Sequence, residues 1–257
     1  MSRRPVRFTC EDAELAGSLD EADGSTGLLL VSGGNEIRSG SWAGQAQLAA
    51  RIAAAGHPVL RFDRRGIGDS EGENAGFRGE RADIGAALAA FRVTQPNLRR
   101  VVAFGNCDAA SALMLAGGEL GLDGLVLANP WVIDAGNETV QAPAAIRQRY
   151  AQKLTDPSEW LRLLRGGVNL RKLVSGLRRA SGPAPRSSLA ETMQARLEAF
   201  AGPVSILIAT RDRTAQLFEA AWPSDDPRVR RIDSASHSFS DDRAREWLLE
   251  QVLEVLG

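Results

Sequence analysis

Histidine and cysteine are scarce in this chain, with two of each among 257 residues. Two cysteines cannot build a disulfide framework, and neither they nor two distant histidines form a zinc-ligand cluster. No metal or other cofactor is expected. An excess of one charge is missing too. Lys and Arg number 31 against 32 Asp and Glu, a formal net charge of -1, whereas neutralising phosphates takes a strongly basic face. Nucleic acid is therefore not an expected partner. No run approaches the roughly 20 apolar residues of a membrane span, and Arg3-Arg4 is not followed by the apolar stretch of a secretory signal. The expectation is a cytoplasmic protein without stable membrane insertion, acting on a small molecule. The sequence leaves its oligomeric state open.

What is present is an alternation of apolar runs and helical periods. Gly27 to Val31, Val59 to Phe62, Leu98 to Gly105, Leu122 to Ala128, Pro203 to Ala209 and Val229 to Ile232 are short apolar runs, as central strands covered on both faces should be. Trp42 to Ala55, Phe77 to Phe91, Asp108 to Gly117 and Arg243 to Leu256 show helical spacing. Pro5 to Cys10 and Glu14 to Leu19, split by an acidic turn, read as an antiparallel hairpin. The expected fold class is α/β, a mostly parallel central sheet with helices on both faces. From 133 to 200 the rhythm stops, and basic residues such as Arg149, Arg162 and Arg179 accompany Trp160. We assign 1–132 and 201–257 to the core and 133–200 to a helical cap insertion. The basic residues there form either a solvated face or a cap that presents cations to substrate.

The most informative stretch is Val101 to Ala110, where an apolar strand runs through Gly105-Asn106-Cys107-Asp108-Ala109 into an Ala-rich helix. A nucleophile elbow needs small residues two places either side of the nucleophile, because the turn is sharp and strained. Gly105 and Ala109 supply them, with Ala109 adding one methyl to the usual glycine. Cys107 would then stand at a helix N-terminus, where the dipole favours a thiolate and free N–H groups can hold an oxyanion. A buried structural cysteine is the alternative for these ten residues alone. A catalytic thiol needs a base. His57 opens a strand beside Gly56 and Pro58 and reads as structural, whereas His237 follows the last strand. Asp212, after the preceding strand, is the expected orienting acid. Asp108 is its rival by proximity, but an elbow turns that side chain away from the thiol and leaves its backbone N–H as an oxyanion donor. Gly33-Gly34-Asn35 ends the first central strand, and Gly34 or Asn35 is assigned the second donor.

The order Cys107, Asp212, His237 resembles the α/β-hydrolase superfamily over nearly the whole chain. The chain is more closely similar to the exosortase A system-associated hydrolase 1 family. The residues that carry this are Gly33-Gly34 with Arg38, Arg61-Phe62-Asp63 through Gly72, Gly105 through Ser111, Asn129-Pro130-Trp131-Val132, and Asp156 through Gly166 with Trp160. Asn35 replaces the proline usual after the paired glycines. The resemblance implies an α/β-hydrolase fold and a place near exopolysaccharide production. Arg38, Trp131 and Trp160 are the candidates for substrate contact. The reaction expected is cleavage of a small ester or thioester through an acyl-enzyme. Acyl transfer by the same triad, or a non-catalytic binding protein, are the alternatives.

Overall fold

The computed structural model describes residues 2–133 and 188–257. An eight-stranded sheet runs in the order β1-β2-β4-β3-β5-β6-β7-β8. Its strands are β1 (Arg3–Cys10), β2 (Ala13–Asp20), β3 (Thr26–Val31), β4 (Val59–Phe62), β5 (Arg100–Asn106), β6 (Gly124–Ala128), β7 (Val204–Ala209) and β8 (Val229–Ile232). β1 and β2 form the expected hairpin, β2 also pairs antiparallel with β4, and every pairing from β4 to β8 is parallel.

The continuous apolar runs are explained by alternation between two cores. Leu29, Val31, Val101, Ala103, Leu125, Leu127, Ile206 and Ile208 point to one face. Their neighbours Leu28, Leu30, Val102, Phe104, Val126, Ala128, Leu207 and Ala209 point to the other. Helices α2 (Arg81–Thr94), α3 (Asp108–Ala116), α4 (Ser188–Glu198) and α5 (Arg213–Ala221) contribute to the first core, while α1 (Gly44–Ala54) and α6 (Asp242–Leu256) close the second. Burying each such leucine or isoleucine stabilises the fold by about 1.5–3 kcal/mol.

Two boundaries differ from the sequence reading. Helix α1 starts at Gly44 because Trp42 and Ala43 adopt left-handed backbone, with φ of 48° and 58°. Helix α4 lies inside the stretch read as a cap, yet Leu189, Met193 and Leu197 are buried in the same core as α3. Residues 188–198 thus pack into that core, while 134–187 of the stretch assigned to the cap, with Trp160, lie outside the described residues. Asp212 and Asp241 start α5 and α6 by accepting hydrogen bonds from the Ala215 and Ala244 N–H groups, each 2.9 Å, a preferred N-cap arrangement.

Candidate active site

Cys107 sits between β5 and α3 with φ 61° and ψ -126°, a conformation that costs a non-glycine residue of order 1–3 kcal/mol and persists only when its surroundings enforce it. The enforcement is visible. The Cys107 N–H donates to the Ala128 carbonyl at 2.9 Å, and its carbonyl accepts from Trp131 at 3.2 Å and Ser111 at 3.3 Å. A side chain at Gly105 would come within 2.8 Å of the Ala109 and Ala110 backbone, so glycine is required there. Ala109 is fully buried and its extra methyl is accommodated.

The structure brings Cys107, His237 and Asp212 together. They come from the C-terminal ends of β5, β8 and β7. His237 Nδ1 lies 3.1 Å from Asp212 Oδ2, but the N–H is off the line to that oxygen, so this is a bent ion-pair contact rather than a linear hydrogen bond. The same oxygen accepts the Ala215 N–H. The Cys107 side chain is near enough to the imidazole to raise its pKa. Asp212 first, then Cys107, push the His237 pKa up to about 10 against the opposing effect of burial. That environment favours the imidazolium form of His237.

Two asparagines hold the His237 backbone, and neither was singled out from the sequence. The His237 carbonyl accepts from Asn129 Nδ2 at 3.0 Å and Asn106 Nδ2 at 3.2 Å. Asn129 is fully buried with φ 41°, and its Oδ1 accepts the Ala209 N–H at 2.9 Å. It therefore ties the end of β7, three residues before Asp212, to the loop of the base. An Asn before a proline at a strand end was the only available signal, and it does not announce such a bridge.

The oxyanion assignments need correction in one respect. The Asp108 carboxylate is engaged, since its Oδ1 accepts the Gly34 N–H at 2.6 Å. The donor expected from Gly34 is thus already engaged. The Gly34 carbonyl accepts from the buried Arg64 guanidinium, which pairs with buried Glu80. Asn35 accepts from Asn74 Nδ2 at 3.1 Å. Gly33 must be glycine, since a Cβ would lie 2.4 Å from the Asn106 carbonyl oxygen. Arg38, a candidate for substrate contact, is instead engaged within the protein, pairing with buried Asp63, with Asp69 at 2.8 Å and with Ser18 at 3.2 Å. The structure does not bring it to the triad. Trp131 braces the elbow through its backbone, and its indole N–H donates to the Ile133 carbonyl at 3.0 Å. His57 Nδ1 donates to the Thr26 carbonyl, 3.0 Å away at the other end of the sheet. Cys10 is buried against Asp83, and burial with that carboxylate pushes its thiol up to about 11.

The sequence pattern described as the alpha/beta hydrolase family matches residues 28–251. The chain belongs to that family. Among solved structures the hydrolase is similar to an esterase from Pyrococcus furiosus, at 18% identity and TM-score 0.63 over 99% of this chain and 90% of the other. It is also similar to the alpha/beta hydrolase GrgF from Penicillium sp. sh18, at 17% identity and TM-score 0.63 over 100% and 98%. The thioesterase domain from the curacin biosynthetic pathway matches at 13% identity and TM-score 0.58 over 99% and 100%. At these identities the likeness is one of fold. No curated protein matches the hydrolase sequence. Among the described residues, no cluster of His, Cys, Asp and Glu could hold a metal ion, and no helix is long and apolar enough to cross a membrane.

Proposed function

We propose that the protein is a cysteine-nucleophile hydrolase that cleaves small esters or thioesters through an acyl-enzyme. The observation that carries this reading is Cys107 in a strained turn at the N-terminus of α3, neighbouring a His237 whose Nδ1 lies 3.1 Å from Asp212. The Cys107 thiolate attacks the acyl carbon, forming a C–S bond and an oxyanion. Collapse of that adduct breaks the bond to the leaving alkoxide or thiolate, which takes the His237 proton. Neutral His237 then removes a proton from water, the hydroxide adds to the thioester, and Cys107 departs as thiolate. Asp212 keeps the imidazole oriented throughout. A thiolate displaces a thiolate or an activated alkoxide more readily than a poor leaving group, which favours thioesters and activated esters. The similarity of Gly105 through Ser111 to the exosortase-associated family supports an acyl donor met near exopolysaccharide production.

The test is acyl capture. Rapid acid quench after mixing with p-nitrophenyl acetate or an acetyl thioester, followed by peptide mass spectrometry, should place one acetyl group on Cys107 and none on Cys10. Turnover that proceeds undiminished in Cys107→Ala would eliminate the mechanism.

The first oxyanion donor in this reading is the Asp108 N–H, and the second becomes available when the Asp108 carboxylate releases Gly34. Asp108→Ala keeps the first and frees the second. It is expected to raise kcat on acetyl esters roughly tenfold, in line with the ~1.5–3 kcal/mol of a hydrogen bond to a charged group. A lower kcat with unchanged folding would show that the carboxylate assists the reaction instead.

A further inference from the structure

Between α1, α6 and the loops after β3 and β8 lies a cavity of about 300 Å³. Leu48, Phe104, Phe239 and Leu248, all members of the second core, give it an apolar lining. Asn106 and Ser238 also line it, and they are the chain neighbours of Cys107 and His237. Several of the charged and polar groups around it are paired, while the buried Asn106 Oδ1 has no hydrogen-bond partner. Arg51 grips both carboxylate oxygens of Glu246 at 2.8 and 2.6 Å, Glu36 accepts from Ser41, and Gln45 Oε1 accepts from Ser32 at 2.8 Å. A ligand that brings charge would have to break these pairs, whereas one that brings apolar surface gains by burial alone.

Trp42 stands at this cavity under several constraints. Its left-handed backbone, followed by that of Ala43, is uncommon for bulky side chains and points to a functional demand. Its ring packs so closely on Gly44 that a Cβ there would lie 2.5 Å from the indole. The indole N–H donates to Ser238 Oγ at 3.1 Å, and the Arg245 guanidinium lies 5.3 Å from the ring centroid. The tryptophan is thereby fixed next to the residue that follows His237.

We propose that this cavity receives the alkyl chain of the acyl group carried on Cys107, so that straight-chain acyl groups of roughly six to ten carbons are preferred over acetyl. The size follows from comparison with a ~150 Å³ apolar cavity that holds one benzene ring. Trp42 forms a wall of the chain site and Leu48 sets its depth. The inference rests on the acyl-enzyme reading and specifies its substrate class.

The experiment compares p-nitrophenyl esters and acyl thioesters of two to fourteen carbons with wild type, Leu48→Phe, Leu48→Ala and Trp42→Ala. Wild type should favour the medium chains over acetyl by at least tenfold in kcat/KM. Leu48→Phe should move the optimum to shorter chains, Leu48→Ala to longer ones, and Trp42→Ala should flatten the preference. An optimum that stays put in all four proteins, or a wild-type rate that falls steadily from acetyl upward, overturns the proposal. A second measurement needs no turnover. Octanamide should raise the Tm of Cys107→Ala more than acetamide does, and adding Leu48→Phe should remove the difference. Equal effects of the two amides overturn the chain site. If no ester acylates wild type while octanamide still discriminates, the nucleophile reading fails and the cavity assignment survives.

Discussion

His237→Ala is expected to lower kcat/KM for activated esters about 10³-fold, within the range contributed by a positioned acid and base. Cys107 alkylation should slow in the same variant, because the neighbouring group that can take the thiol proton is gone. The pH dependence has a defined sign. His237 rises from an ordinary value of 6.5 to about 10 in the folded protein, so it binds its proton more tightly folded than unfolded. Its contribution to stability is complete below about 6.5 and is lost as the pH rises through about 10. Wild-type Tm should therefore decline more steeply than that of His237→Ala between pH 7 and 10. Parallel Tm curves would mean that no ion pair with Asp212 and Cys107 exists. The alkaline limb of kcat/KM, where the acid loses its proton, should lie near pH 10.

Asn129→Leu is expected to cost about 3 kcal/mol of stability, the effect of leaving the Ala209 N–H without its buried partner and of forcing a leucine into left-handed backbone. For a chain of this size that corresponds to a fall in Tm of roughly 6–12 °C. Turnover at a temperature where the variant is folded should drop at least tenfold, because His237 and the strand bearing Asp212 lose their bridge. Asn129→Asp separates the two roles. Its carboxylate can still accept from Ala209 but opposes the His237 carbonyl, so it should impair kcat more than KM. Urea denaturation beside steady-state kinetics reads both, and wild-type kcat in either variant would remove Asn129 from the positioning of the base.

The sheet was legible because its strands are buried on two faces. Leu28 to Val31 is apolar at every position since successive side chains enter different cores, and length and flanking glycines then mark it as a strand. The elbow was legible for a local reason, the small residues its turn demands. The groups brought beside it were legible through chain order, since few histidines compete and each candidate ends a strand. What escaped the sequence depends on distances between elements. The reach of Asp108 to Gly34 spans 74 positions, and no periodicity encodes it. Arg38 resembles a substrate ligand until Asp63 and Asp69 are seen to occupy it. The helix at 188–198 carries a modest apolar stripe that fits a cap as well as a core, and only its packing on α3 decides.

The burial of Cys10 beside Asp83 has a practical consequence for anyone studying this molecule. A thiol held near pKa 11 stays protonated at neutral pH and is hidden from solvent, so it is a poor target for maleimides and haloacetamides. With only two cysteines in the chain, the native sequence then offers a single addressable sulfur. A fluorophore, spin label or fluorinated tag can be set at position 107 without removing any residue. Because the tag occupies the proposed nucleophile, it reports on the elbow itself while every other residue keeps its native identity.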